Sequence, residues 1–285
     1  MKTTGQIGSL TVHRMGFGAM QLPGPGVMGP PRDHDQAVAV LRHAVEAGVD
    51  HIDTAQYYGP DVANALLREA LHPYPEQLVL VSKVGARRDD TGAWLPWDRP
   101  EDLRQGIEDN LRSLGVEQLG AVNLRLLDPG HDSGVPFDEQ LDAMVQARED
   151  GLIAGVGLSN VTADQLRHAL TRTPVVCVQN PYNLADRTSQ PVLDLCEREG
   201  IAFVPFFPLG SAFGGQNAVL QAPGVVSVAA RRGATPAQVA LAWVLAISEQ
   251  TLLIPGTSSL DHLEDNLAAG TLELSAADLA EIEQG

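Results

Sequence analysis

The stretch HIDTAQYYG, residues 51–59, places a carboxylate and a phenol close together. Asp53 ends a short apolar run, and Tyr58 follows after one short loop. Lys83 ends a second apolar run, LVLVSK, where a lone ammonium group would be costly to bury. An ion pair between Asp53 and Lys83 would remove that cost for both groups. These residue types indicate proton transfer: Asp53 would orient Lys83, and Lys83 would lower the pKa of the Tyr58 phenol.

Two interpretations of this group are open. In the first, Tyr58 protonates the alkoxide that develops when a carbonyl is reduced. In the second, Asp53 and Lys83 form a buried ion pair without a chemical role, because such pairs also occur in protein interiors. A proton donor alone does not reduce a carbonyl, so the first interpretation requires a bound hydride source.

The elements that would position these groups follow from the pattern of apolar residues. Short runs rich in Val, Ile and Leu alternate with segments of helical period, which predicts an α/β protein with a (β/α)8 TIM barrel. We expect one barrel domain over residues 1–285. The predicted strands lie at 14–20, 49–55, 78–84, 121–127, 152–159, 175–180, 201–206 and 251–256, and helices at 35–47, 100–114, 138–149, 163–170, 191–199 and 236–247.

Polar side chains stand at the ends of several predicted strands. In a (β/α)8 barrel the carboxyl ends of the strands form the active face. Because side chains alternate along a strand, we expect these groups to point inward and converge. The strand ends carry Asp53, Lys83, Arg125, Ser159, Asn160, Gln179 and Phe206.

A cofactor is expected on the barrel itself. GFGAMQ lacks the third glycine of GxGxxG, so a Rossmann site has little support. Ser159, Asn160 and Gln179 have side chains that hydrogen-bond a carboxamide, and the Phe206 ring suits stacking on a flat ring. The segment PGTSS, residues 255–259, ends a strand and opens a helix, which suits a phosphate. Taken singly, Phe206 would be interpreted as a core aromatic and the polar residues as turn residues.

Two loops are candidates for the substrate side. Trp94 and Trp97 follow the third predicted strand, beside Arg87 and Arg88. They either wall a substrate site or form a loop-packing cluster with a solvated basic pair. The irregular segment 209–224 lies before the eighth strand, where an active-site loop is expected.

Charge and composition exclude several classes of partner. The 285-residue chain has 19 Lys and Arg against 36 Asp and Glu, a net charge of −17. This charge repels nucleic acid and anionic membrane surfaces, and a phosphorylated cofactor would need local cations or helix N-termini. Cys177 and Cys196 lack metal-ligand spacing, so we expect free thiols and no metal. With no signal-type or membrane-spanning segment, the sequence predicts a cytoplasmic protein.

Along nearly its whole length the sequence resembles the aldo-keto reductase family. The likeness is carried, in order, by GFGAMQ, HIDTAQYYG, SKVG, GVGLSN, VQNPYN, PFFPLG and LIPGTSSLDHLEDN. It implies a carbonyl reductase that uses NADPH/NADP+, with Tyr58 as general acid supported by Lys83 and Asp53. Arg125 is the fourth catalytic candidate. The substrate is expected against Tyr58, Trp94, Trp97 and Arg125.

The resemblance also implies a set of cofactor-binding residues. The nicotinamide would be held by Ser159, Asn160 and Gln179, with Phe206 stacked behind it. The other members come from the first strand, the HIDTA stretch, the loop after strand seven, and the last strand with its helix. They are Gly18, Ala19, Met20, Asp53, Pro208, Leu209, Gly210, Pro255, Gly256, Thr257, Ser258, Ser259, His262, Asp265 and Asn266.

Within the family, four segments are similar to the branch that includes pyridoxal reductase. These are GAMQLPGPGVMGPPRD, VGARR, VNLR and VPFFPLG, and they imply reduction of pyridoxal to pyridoxine. Two alternatives are open: a broad-specificity aldehyde and ketone reductase, and a non-catalytic NADP-binding regulatory barrel.

Three positions depart from the common family pattern. Arg125 replaces the usual histidine on strand four, Phe206 replaces a stacking tyrosine, and Ser258-Ser259 replaces a Lys-Arg pair. The first departure affects the fourth catalytic role, and the third affects the preference for NADPH over NADH. A guanidinium cannot shuttle protons, but it can donate hydrogen bonds to a substrate oxygen. The alternative for Arg125 is an ion pair with Asp128 or another strand-end carboxylate.

Overall fold

The computed structural model describes residues 3–127, 134–210 and 217–284. The strands are β1 (Thr4–Ile7), β2 (Leu10–His13), β3 (Phe17–Gly18), β4 (His51–Asp53), β5 (Val79–Arg88), β6 (Trp94–Trp97), β7 (Ala121–Arg125), β8 (Val156–Ser159), β9 (Val175–Gln179) and β10 (Ala202–Phe203). The helices are α1 (His34–Glu46), α2 (Val62–Leu71), α3 (Pro100–Leu114), α4 (Phe137–Glu149), α5 (Ala163–Leu170), α6 (Gln190–Glu199), α7 (Ala218–Gln221), α8 (Pro223–Arg232), α9 (Pro236–Ala246), α10 (Leu260–Ala269) and α11 (Ala276–Gln284).

The barrel is a ring of parallel strands. Its hydrogen-bonded order is β3, β4, β5, β7, β8, β9 and β10. The last predicted strand closes the ring, because Thr251 bridges Phe203 of β10 and Leu253 bridges Met15 just before β3, both in parallel. Backbone bonds on the two sides of this strand run from Leu252 N to Phe203 O at 2.9 Å and from Gly16 N to Leu253 O at 2.7 Å. The predicted (β/α)8 barrel is confirmed.

Several predicted boundaries are too generous. The first predicted strand, 14–20, ends at Gly18, where the chain turns into a 3₁₀ helix over Ala19–Gln21. The seventh, 201–206, pairs regularly only over Ala202–Phe203. Pro205 has no N–H to give to the sheet, so regular pairing stops before it.

Helix ends follow their local sequence signals. Thr235 begins α9 as predicted: its hydroxyl oxygen accepts from Gln238 N, and the Gln238 side chain accepts from Thr235 N. Pro236 occupies the first turn, where no N–H is needed. Gly200 follows α6 in the left-handed region, with φ 68°, which glycine adopts without strain.

The β1–β2 hairpin covers the amino end of the barrel. Ile7 and Val12 are buried in a cluster that includes Val79, Val81 and Cys177, the residues that point inward from β5 and β9. This closes one end, so the carboxyl end is the face left for a site. Both cysteines are free and buried. In the described part of the chain, no helix is both long and apolar enough to cross a membrane.

Candidate active site

A cavity of about 490 Å³ opens at the carboxyl end of the barrel. Its wall brings together side chains that are far apart in the sequence, from the ends of five neighbouring strands. These are Asp53, Lys83, Arg125, Ser159 and Gln179, and Tyr58 joins them from the loop after β4. The convergence follows from the parallel barrel, in which all strands end at one rim.

Asp53 is the hub of a buried hydrogen-bond network. Lys83 Nζ donates to Asp53 Oδ1 and also to the Thr54 carbonyl oxygen at 3.0 Å. Gln179 Nε2 donates to Asp53 Oδ2 at 2.6 Å. Both carboxylate oxygens are therefore satisfied, and Asp53, Lys83 and Gln179 are all buried. The expected Asp53–Lys83 pair is present, and Gln179 is a member that the sequence did not assign to it.

Tyr58 lies beside this network without a hydrogen bond to it. Lys83 Nζ is 5.1 Å from the centroid of the Tyr58 ring. Burial raises the pKa of Tyr58, the charge of Asp53 raises it further, and Arg125 lowers it. The expected lowering of this pKa toward neutral pH is therefore wrong, since burial has the largest effect and the charge of Asp53 adds to it. The Tyr58 phenol keeps its proton at neutral pH, as a general acid must.

Arg125 presents an unpaired donor to the cavity. It ends β7 opposite Ser159 of β8, and its guanidinium carbon lies 5.0 Å from the centroid of the Trp94 ring. Its Nη1 is buried and has no hydrogen-bond partner. Among the described residues no salt bridge engages Arg125, and Asp128 lies outside them. The described residues thus provide no scaffold ion pair for Arg125, and its contact with a substrate oxygen stays a prediction.

The two tryptophans of the β5–β6 hairpin lie in different places. Trp94 lines the cavity, is 38% exposed, and meets the Tyr57 ring edge-on at 5.2 Å. Trp97 does not line the cavity, and its ring lies beside Gly106 of α3. Residues three apart on a strand point to opposite faces, so the substrate role expected for Trp97 does not fit its position.

Of the two adjoining arginines, Arg87 is exposed and Arg88 is half-buried. Arg88 donates to the carbonyl oxygens of Gly92 at 2.8 Å and Gly26 at 3.1 Å, and its guanidinium carbon lies 4.5 Å from the centroid of the Trp94 ring. These contacts tie the hairpin to the loop after β3. Trp94 is thereby held in place at the cavity rim.

Part of the expected nicotinamide set fits a carboxamide and a flat ring. Gln179 Oε1 is buried without a partner, so an acceptor is available for a carboxamide N–H. Ser159 and the half-buried Phe206 ring line the same cavity. Asn160 does not line it: its Nδ2 donates to the Leu126 and Leu127 carbonyl oxygens, both at 3.0 Å. Its Nδ2 thereby fixes the loop after β7, which leaves Oδ1 for the expected carboxamide contact, and that contact stays a prediction.

The other cofactor candidates divide in the same way. Gly18 and Gly256 approach so closely that a Cβ on Gly256 would lie 2.3 Å from Gly18 O, which only glycine allows. Ser258 lines a second groove next to the cavity, and the other residues that line this groove lie between positions 20 and 36. Those that line the cavity are Gly18, Met20, Pro208, Leu209, Gly210, Pro255, Gly256 and Asn266, whereas Ala19, Thr257, Ser259, His262 and Asp265 do not.

Two of the residues outside the cavity have structural partners. Ser259 caps α10, since its hydroxyl oxygen accepts from His262 N at 3.4 Å. Thr257 Oγ1 accepts from Ser259 N at 3.1 Å. These bonds order the turn that carries Pro255 and Gly256 to the cavity.

The loop predicted over 209–224 also reaches the site. Leu209 and Gly210 line the cavity on one side of it, and Asn217 and Leu220 on the other, while residues 211–216 lie outside the described residues. Sequence reasoning gave no role to Tyr57, which also lines the cavity. The only signal for it is its place next to Tyr58.

Residues 14–284 match the sequence model described as the aldo/keto reductase family. The chain belongs to the aldo/keto reductase family. It is therefore an oxidoreductase. It is 48% identical over 271 residues to pyridoxine 4-dehydrogenase of Escherichia coli (strain K12), covering 94% of this chain and 93% of that protein. An uncharacterised oxidoreductase of Schizosaccharomyces pombe is 40% identical over 283 residues, with coverage of 99% and 89%.

Solved structures of the family share the barrel. An aldo/keto reductase from Klebsiella pneumoniae in complex with NADP and acetate has a TM-score of 0.83 at 27% identity, covering 100% of this chain and 95% of that one. A thermostable aldo-keto reductase in complex with the inhibitor epalrestat has a TM-score of 0.85 at 27% identity, with 99% coverage of both chains. The barrel of this chain is thus the fold of these relatives.

Proposed function

We propose that this aldo-keto reductase reduces pyridoxal to pyridoxine with NADPH. The observation that carries the proposal is the cavity in which Tyr58 lies beside the Asp53–Lys83 pair. The substrate is supported by the 48% identity to the Escherichia coli pyridoxine 4-dehydrogenase. The same site serves the reverse reaction, since a catalyst accelerates both directions.

NADPH is the cofactor that the family and the cavity wall support. Ser159 and Gln179 would hold its carboxamide, Phe206 would stack against its flat ring, and the Gly210 and Gly256 segments would hold its phosphates. NADPH, when bound, supplies the hydride. The cofactor in the Klebsiella pneumoniae neighbour agrees with this choice.

The chemical step assigned to this chain is proton delivery. Reduction adds a hydride to the aldehyde carbon and a proton to its oxygen. Tyr58 Oη donates that proton as the carbonyl double bond opens, and Arg125 donates a hydrogen bond to the oxygen as its charge grows. The phenolate left on Tyr58 is stabilised by Arg125 until solvent returns a proton.

The substrate is tested by following NADPH oxidation with pyridoxal, benzaldehyde and a short aliphatic aldehyde. We expect kcat/KM to be highest for pyridoxal. Comparable values for all three would replace this substrate with the broad-specificity alternative. No turnover of any aldehyde would contradict a reductase function and favour the regulatory barrel.

A further inference from the structure

Besides Gln179 Oε1, which we assign to the cofactor, two buried polar groups of cavity-lining residues have no hydrogen-bond partner. They are the Tyr57 hydroxyl and Arg125 Nη1. Tyr57 is only 2% exposed, and both residues line the cavity. A buried donor without a partner costs free energy, so a ligand atom that accepts from it gains that energy on binding.

The two groups belong to one cluster next to the proton donor. The Tyr57 ring meets Tyr58 edge-on at 5.4 Å and Trp94 edge-on at 5.2 Å. Arg125 lies over the same Trp94 ring at 5.0 Å. Aromatic contacts on two sides fix the Tyr57 ring, so its hydroxyl has a defined position close to Tyr58 and Arg125.

The charge at this position favours an oxygen with negative character. Burial raises the pKa of Tyr57, so its phenol stays protonated and acts as a donor. Among the neighbouring charges, that of Arg125 has the largest effect on the pKa of Tyr57, and it lowers this pKa. A guanidinium presents parallel N–H groups that bind two oxygen atoms side by side.

We propose that Tyr57 and Arg125 form a subsite for a second substrate oxygen, on the ring carbon next to the one that bears the aldehyde. The carbonyl oxygen then lies at Tyr58. The neighbouring hydroxyl or phenolate oxygen accepts a hydrogen bond from Tyr57, and the Arg125 guanidinium donates to both substrate oxygens. Pyridoxal carries such an oxygen beside its aldehyde. This inference rests on the proposed function and assigns the part of the substrate that the site recognises.

The subsite is tested by calorimetric binding to the protein–NADP+ complex, which requires no turnover. The ligands are 2-hydroxybenzyl alcohol, 4-hydroxybenzyl alcohol and benzyl alcohol. We expect the 2-hydroxy compound to bind about tenfold more tightly than the other two, as a hydrogen bond to a charged group allows. In Tyr57→Phe this preference falls severalfold while benzyl alcohol affinity is unchanged.

The ligand-free protein supplies a second readout. Tyr57→Phe removes an unpaired hydroxyl, so we expect its Tm to be equal to or above that of the wild type. Tyr74→Phe is the matched control: its hydroxyl donates to Leu114 O at 2.8 Å, away from the cavity. This control lowers Tm and leaves the binding preference unchanged.

Three results would overturn the subsite. They are no preference for the 2-hydroxy compound in the wild type, an equal loss of affinity for all three alcohols in Tyr57→Phe, and a lower Tm for that variant. Failure of the proposed function is distinguished separately, because it appears as absence of NADPH oxidation with every aldehyde, whatever the binding ratios are.

Discussion

At the scale of single residues, the site depends on how three charges share one buried space. Asp53 accepts hydrogen bonds from both Lys83 and Gln179. The positive charge of Lys83 is therefore paired with the Asp53 carboxylate next to Tyr58. Burial therefore raises the pKa of the phenol, and Arg125 is the cation whose charge opposes that effect. Arg125 thus lowers the pKa of the acid, in addition to the hydrogen bond to the substrate oxygen that we propose for it.

Tyr58→Phe removes only the proton donor. We expect kcat/KM for pyridoxal to fall about 10²–10⁴-fold, the usual contribution of general acid catalysis. NADPH affinity, measured by fluorescence titration, should stay within about twofold of the wild type, since no cofactor contact is assigned to the hydroxyl. Tyr74→Phe, far from the cavity, is the control for loss of a phenol. Wild-type turnover in Tyr58→Phe would mean that another group is the acid.

Arg125→Met removes a charge and keeps much of the side-chain length. We expect kcat/KM to fall about 10²-fold, as for other donors to a developing oxyanion, with NADPH affinity nearly unchanged. Arg125→Lys should recover only part of the loss, because a point charge does not reproduce the planar fork. Steady-state kinetics report a role of Arg125 in catalysis, and thermal unfolding reports a role in stability. Unfolding of Arg125→Met would assign the residue to the scaffold.

At the scale of elements, the β5–β6 hairpin decides which aromatic residue reaches the site. β5 continues past the barrel rim to Arg88, and β6 pairs back along it, with Trp94 opposite Arg88 and Trp97 opposite Gly85. Strand alternation sends Trp94 to the cavity and Trp97 toward α3. One short hairpin therefore provides both a site wall and a packing contact.

Trp94→Ala and Trp97→Ala form a matched pair on that hairpin. We expect Trp94→Ala to raise KM for an aromatic aldehyde about tenfold, because an aromatic contact is lost, and to change KM for a short aliphatic aldehyde much less. Trp97→Ala should lower Tm and leave the ratio of the two KM values unchanged. Equal effects of Trp94→Ala on both aldehydes would indicate a packing role for this residue as well.

At the scale of the whole molecule, the net charge of −17 works against a phosphorylated cofactor. Binding must therefore depend on local donors at the rim. Ser259 already caps α10, whereas Ser258 is exposed and lines the groove next to the cavity. Of the two serines that replace the usual basic pair, Ser258 is the better candidate for the 2′-phosphate.

Ser258→Ala tests this assignment. We expect the wild type to prefer NADPH over NADH, and the variant to lose about fivefold of that preference, the worth of one hydrogen bond. NADH kinetics should not change, because NADH lacks the 2′-phosphate. Ser227→Ala, on α8, is a control for loss of a serine hydroxyl away from the groove. A wild-type preference for NADH would contradict this view of the rim.

The sequence predicted the barrel and most of the site because both follow from repetition. Eight strand–helix alternations determine the ring, and parallel strands bring their polar ends to one rim. The sequence did not predict features that depend on the direction of a side chain or on how burial and several nearby charges together set a pKa. Asn160 Nδ2 donates to the Leu126 and Leu127 carbonyl oxygens, Trp97 lies beside Gly106 of α3, and burial together with the charge of Asp53 raises the pKa of Tyr58.

The closed amino end of the barrel has a consequence for the order in which ligands bind. With the β1–β2 hairpin over one end, both reactants must enter through the same opening. The groups suited to the cofactor, Gln179 and Ser159, are 2% and 1% exposed, and on the substrate side Tyr57 is 2% and Trp94 38% exposed. Because the two reactants share this opening, we expect the ligand nearer the rim to hinder exchange of the ligand beneath it, so that binding follows a fixed order.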